Sequence, residues 1–87
     1  MVNINKLKKL AKKEGINLTL HERRKQLSGK GVIWDLNARG GKITRVKIAE
    51  NRNPLSSNAN VYYGNSSKSG TEFKTELELV KFMQEYN

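Results

Sequence analysis

Cysteine is absent from this chain of 87 residues, and histidine and proline each occur once, as His21 and Pro54. Without cysteine there is no disulfide framework and no thiolate metal site. One histidine among scattered carboxylates gives no set at metal-ligand spacing, so no metal or cofactor site is expected. No apolar run approaches the ~20 residues that cross a bilayer. Lys6, Lys8, Lys9, Lys12 and Lys13 interrupt every apolar stretch near the start, so no signal-peptide core is read there. These absences set the expectation of an intracellular protein, in cytoplasm or nucleoid/nucleus, with no membrane partner. Acids are also scarce: 8 Asp and Glu stand against 17 Lys and Arg, a net charge of +9. At this length one domain is expected over 1–87, with a basic helical segment at 1–30 and a sheet plus helix at 31–87.

The excess charge is unevenly placed. Residues 1–54 hold 14 of the 17 Lys and Arg and only Glu14, Glu22, Asp35 and Glu50 as acids, a net of +10. Residues 55–87 hold three Lys and four Glu, a net of −1. A basic portion joined to a near-neutral one points to an anionic partner, and nucleic acid is the commonest.

Hydrophobic spacing predicts an amphipathic helix over about 4–14. Ile4, Leu7, Leu10 and Ala11 share one face and the five lysines lie opposite. Asn3 or Asn5 caps its start, and Gly15 supplies a left-handed end. Thr19-Leu20-His21-Glu22 is spelled as a capping box, which predicts a second short helix through Leu27; the alternation at 16–20 is the competing strand signal. From Gly31 the period is two. Val32, Trp34 and Leu36 face one way and Ile33 and Asp35 the other. A glycine turn at 37–41 returns the chain as a strand over 42–49. There Thr44, Val46 and Ile48 share one face, and Ile43, Arg45 and Lys47 the other. A polar loop at 50–60, a third strand at 61–63, and a polar turn at 64–70 follow. A capping box at Thr75-Glu76-Leu77-Glu78 opens a last helix over about 76–86, with Leu79, Phe82, Met83 and Tyr86 inward. The expected fold class is α+β: one or two N-terminal helices, a three-stranded antiparallel sheet, and a C-terminal helix packed on it.

Catalytic chemistry has little to stand on. His21 sits among Glu22, Arg23 and Arg24, the setting of a surface histidine. Gly29-Lys30-Gly31 lacks the phosphate-loop pattern. No enzyme is expected. Ala11, Gly15 and Ile16 match the small residue, turn glycine and apolar residue of a helix-turn-helix. However, His21 and Arg24 stand where its recognition helix would bury apolar side chains.

Val61-Tyr62-Tyr63, a polar turn, then Phe73-Lys74-Thr75 and Glu78-Leu79-Val80-Lys81-Phe82-Met83 resembles the methyl-CpG-binding domain over about residues 41–86. The DNA-binding arms of phage and transposon integrases are similar, with a three-stranded sheet on one helix. The resemblance implies a sheet that enters the major groove of DNA and a phosphate-gripping loop at about Glu50 to Asn60. Of the family's two guanine-reading arginines, the second falls on Lys74, and the first on Arg45, Lys47 or Arg52. The family's aspartate beside the tyrosines is Asn60 here, and its tryptophan before the first strand has no counterpart.

The expected function is nucleic-acid binding, duplex DNA ahead of RNA. The contacting residues would be Lys6, Lys9, Lys12, Lys13, Arg23, Arg24, Lys30, Arg39, Lys42, Arg45, Lys47, Arg52 and Lys74. The alternative is a small basic modulator docking on an acidic protein surface, with Trp34 and the tyrosines as anchors.

Overall fold

A computed structural model describes residues 3–25, 31–50, 55–64 and 66–85. Helix α1 (Ile4–Lys13) opens the chain. Five strands follow: β1 (Asn17–Lys25), β2 (Val32–Arg39), β3 (Ile43–Glu50), β4 (Ser57–Tyr63) and β5 (Ser66–Phe73). Helix α2 (Glu76–Gln84) closes it. The strands form one antiparallel sheet in the order β1-β2-β3-β4-β5, a simple meander. The class is α+β as expected, but the sheet has five strands where three were expected, and the described part of the expected second N-terminal helix is strand β1.

The three corrections have physical causes. Residues 17–25 read locally as a helix start, but Leu18, Leu20 and Arg23 pair with Ala38, Leu36 and Trp34 of β2. Backbone bonding to an available strand overrides a capping signal worth about 1 kcal/mol. Part of the expected 50–60 loop is β4, where Ala59 inserts among the core side chains while Asn58 and Asn60 face away. Residues 66–70 of the expected 64–70 turn belong to β5, an edge strand too polar to show an apolar alternation and exposed through most of its length.

Bulges settle which side chains face inward. Ile43 pairs with Tyr63 and Arg45 with Tyr62, so Thr44 is the extra residue. The added residue shifts the phase of β3. Ile43 therefore joins Val46 and Ile48 in the core, and Thr44 is exposed and donates its hydroxyl to the Tyr62 carbonyl at 3.3 Å. The simple alternation had put Ile43 with Arg45 and Lys47. A second bulge at His21 places Leu20 on the inner face and Glu22 on the outer one.

Both helices cover the same side of the sheet. Leu7 and Ala11 of α1, and Leu79, Val80 and Met83 of α2, share one core with Leu18, Leu36, Val46, Ile48, Val61 and Phe73. Of the expected inward face of α2, Leu79 and Met83 are buried and Phe82 is half-buried; Tyr86 lies outside the described residues. The helices run parallel. At one end the Asn3 backbone N–H donates to Glu76 Oε1 at 2.8 Å, and at the other Gln84 Nε2 donates to Glu14 Oε2 at 2.6 Å. Each N-terminus is capped as its spelling predicts: Asn3 Oδ1 accepts from Lys6 N, and Thr75 Oγ1 accepts from Glu78 N.

The end of α1 is locked by the sheet. The Ile16 N–H donates to the Ala11 carbonyl and the Gly15 N–H to that of Lys12, with Gly15 at φ +81°. This is the paired closure of a helix ending on a left-handed glycine. The β2–β3 turn then presses against it. Gly40 has φ +110°, and a Cβ there would lie 1.9 Å from the Gly15 carbonyl oxygen. Gly40→Ala should destabilise the fold by about 2–4 kcal/mol, since strain and backbone collision add. Gly15→Ala, which meets open space, should cost only about 1 kcal/mol. Thermal unfolding of the two variants checks this. Equal losses would mean that the Gly40–Gly15 contact does not limit stability.

Candidate nucleic-acid interface

A meander keeps neighbours in sequence as neighbours in space, so the uneven charge of the sequence becomes an uneven charge of the molecule. Helix α1 packs against β1, and α2 packs against β5. The side built from α1, β1, β2 and β3 therefore carries nearly all the cationic excess, and the side built from β4, β5 and α2 is close to neutral.

The densest cationic feature is the outer face of α1. Lys6, Lys9, Lys12 and Lys13 are exposed and Lys8 is half-buried. Among the described residues none of these lysines has a carboxylate within 4.0 Å. Glu14, the nearest acid in sequence, accepts instead from Gln84. Lys8 and Lys12, and Lys9 and Lys13, stand four apart on one helix, and each like-charge pair costs a few tenths of a kcal/mol. Lys12 and Lys13 recover part of this from the C-terminal end of the helix dipole. The contact of Gly15 with Gly40 sets this last turn against the β2–β3 turn, which Arg39 and Lys42 flank. Two basic stretches far apart in sequence thus meet at one end of the molecule.

Strand β1 adds a basic edge. Arg23, Arg24 and Lys25 are all exposed. Arg23 shares the helix-covered side with Trp34 and lies 5.0 Å from its ring centre. Arg24 points to the open side, with Nε 3.9 Å from Glu22 Oε2.

The open side of the sheet is a grid of paired residues. One row reads Arg24, Ile33, Ala49, Asn58, Glu72 across β1 to β5. The next holds Glu22, Asp35, Lys47 and Asn60, and a third holds Thr19, Asn37, Arg45, Tyr62 and Ser67. Acids and bases balance on this face. Asp35 is fully buried beneath Arg45, which grips it with a two-pronged fork: Nε donates to Oδ1 at 2.7 Å and the terminal nitrogen Nη2 donates to Oδ2. The hydrogen bond from Arg45 holds the Asp35 carboxyl below the usual range against the opposing effect of burial, with help from the charges of Arg45, Lys47 and His21. The same bond raises the Arg45 pKa further. Lys47 Nζ sits 5.8 Å from the centre of the Tyr62 ring.

Of the basic residues named from sequence, Lys6, Lys9, Lys12, Lys13, Arg39 and Lys42 lie on α1 and the turn against it, and Arg23 on the adjoining edge. Arg24, Arg45 and Lys47 face the open side. Lys74 stands apart, just before α2, where its N–H donates to Glu78 Oε2 at 2.8 Å. Lys30 and Arg52 fall outside the described residues; of the 50–60 segment that the family resemblance made a phosphate grip, 51–54 lie outside them too, and 57–60 are part of β4 rather than a loop. Sequence reading missed Asp35 as the partner of Arg45. The available signal was an aspartate inside a strand, a position that disfavours it unless paired. It also missed Asn58 and Asn60, which share the open face with Tyr62. The proposed anchor Trp34 is occupied internally: it packs against the core, and its Nε1 donates to Glu50 Oε1 at 3.2 Å.

Among the described residues no group of three or more His, Cys, Asp or Glu is placed to hold a metal, and no helix is long and apolar enough to cross a membrane. No family model matches the chain, and neither a curated protein nor a solved structure matches it significantly.

A second carboxylate links the helices. Burial opposes ionisation of Glu76, but the N–H groups of Asn3 and of Glu76 itself, and the nearby charge of Lys6, hold its carboxyl below the ordinary value. The folded chain therefore binds fewer protons in acid than the unfolded one. The stability from Asp35 and Glu76 is fully present above the ordinary carboxylate values of 3.8 and 4.5 and drains away as the pH falls below them. Urea unfolding at a series of pH values should show this loss. Glu76→Gln and Asp35→Asn should each flatten the dependence while lowering stability at neutral pH. An unchanged acid slope in both variants would remove the two carboxylates as its source.

Proposed function

We propose that this protein binds nucleic acid, duplex DNA in preference to RNA, through the lysine face of α1 and the basic edge and turn beside it. The observation that carries the reading is the α1 face itself. Lys6 lies near the Glu76 carboxylate, but Lys8, Lys9, Lys12 and Lys13 share the helix without a carboxylate partner among the described residues, at a cost in self-repulsion that an anionic partner would relieve. Its apolar face is spent in the core, so the helix has no free apolar stripe for a lipid surface. The spread of cations from α1 to Arg23, Lys25, Arg39 and Lys42 suits a phosphate backbone, which offers repeated charges along a line.

The preference for a duplex rests on the scarcity of stacking platforms. On the open face only Tyr62 among the described residues offers an aromatic ring, whereas single-strand readers present several. Arg45 uses its side-on fork on Asp35. Its remaining N–H groups stay free to donate, and its side chain is 41% exposed. The five-stranded meander departs from the three-stranded sheet that the methyl-CpG-binding and integrase-arm resemblance implied, so the duplex reading stands on the α1 flank and not on a base-reading Arg45. Docking on an acidic protein surface is less well supported, because Trp34, its best anchor, is held within the fold.

Binding to a short duplex at several salt concentrations tests the proposal. About six phosphate contacts should give a log–log slope near −5. Lys9→Gln combined with Lys12→Gln should make the slope shallower by about 1 to 2, with the unfolding midpoint unchanged or raised. A flat salt response would remove the proposal. Stoichiometric recovery of one protein partner after nuclease treatment would favour the alternative.

A further inference from the structure

The open face of the sheet holds a depression of about 240 Å³ that the cationic flank does not explain. Its floor is apolar: Ile33 and Ala49 pair across β2 and β3 and stay half-exposed. Tyr62 stands at one side, and Asn58 and Asn60 line the β4 wall. Arg24 and Lys47 bring positive charge to the rim. Asparagine is depleted in strands, so two of them at alternate positions of one central strand represent a local cost. Asn60 Oδ1 accepts from the Gly70 N–H at 3.3 Å, which fixes the amide and leaves its NH₂ free to donate. An apolar floor, a ring, two side-chain amides and rim cations together match a flat heteroaromatic base joined to a phosphate.

The dimensions say how such a base would arrive. Five strands at about 4.8 Å spacing make a sheet about 19 Å across. A major groove is about 12 Å wide and admits two strands. The sheet cannot descend face-on to paired bases, so the depression meets only a base that has left the stack.

We propose that this depression holds one unpaired nucleotide of an otherwise double-stranded nucleic acid. The base would lie on Ile33 and Ala49 beside Tyr62, with Asn58 and Asn60 at its edge and Arg24 and Lys47 at its phosphates. The proposal rests on the nucleic-acid reading above; the depression lies on the side of the sheet away from the helices, and the β1 edge, with Arg23 turned to one side and Arg24 to the other, is what joins it to the cationic flank. Pairing and stacking are already lost at such a nucleotide, so the protein gains the base contacts without the cost of opening the duplex.

The test compares a matched duplex with the same duplex carrying one extra unpaired nucleotide, at one salt concentration. The unpaired form should bind about fivefold tighter or more. Ala49→Leu fills the depression with a larger apolar side chain and changes no charge. It should abolish the preference while leaving matched-duplex affinity and its salt slope unaltered. Asn60→Ala should reduce the preference in the same sense. Equal binding of the two duplexes by the unaltered protein, with a steep salt slope, would overturn this proposal and leave the nucleic-acid reading standing. A preference that survives Ala49→Leu in a folded variant would also overturn it. Failure to bind either duplex would overturn both.

Discussion

The order of strands in the sheet governs the rest of this molecule. A meander connects each strand to its neighbour, so position along the chain becomes position across the sheet. The two helices complete the arrangement from either end of the sequence, α1 beside β1 and α2 beside β5, and meet each other over the core. Had the chain crossed over, the lysines of α1 and the carboxylates of α2 would have been interleaved and the charge averaged out. Here the segregation written in the sequence survives folding.

Three contacts hold that order in place. Glu76 ties the start of α1 to the start of α2, and Gln84 with Glu14 ties their ends. The close approach of Gly40 to Gly15 fixes α1 to the β2–β3 turn. Parallel helices place two positive dipole ends side by side, and the Glu76 carboxylate lies between them. The Asp35–Arg45 pair performs a related task on the open face: it satisfies a buried carboxylate and sets the direction of one arginine.

What could be read from the sequence were features settled within a turn or two. The extent of α1, its lysine face, the glycine that ends it and the capping box of α2 were all legible, because caps and 3.6-residue spacing are local. The edge strands were not. The inner positions of β1 beyond the His21 bulge are Arg23 and Lys25, and the exposed half of β5 is Ser66-Ser67-Lys68-Ser69; neither stretch advertises a buried face. The bulges at His21 and Thr44 shift the inward register by one residue, and no local signal announces them, so Ile43 looked like an outer residue. For the candidate interface, the cations were legible as a population but not as a place. Which of them converge depends on the contact of Gly15 with Gly40 and on the pairing of β1 with β2.

The central claim is that the α1–β1 side of the molecule is the surface that meets an anionic polymer. Amide shift changes during titration with a short DNA duplex test it most directly. The account expects the largest changes in residues 4–13, 22–25 and 39–42, with α2 and β5 quiet. Changes confined to α2 and β5, or none at saturating duplex, would contradict it.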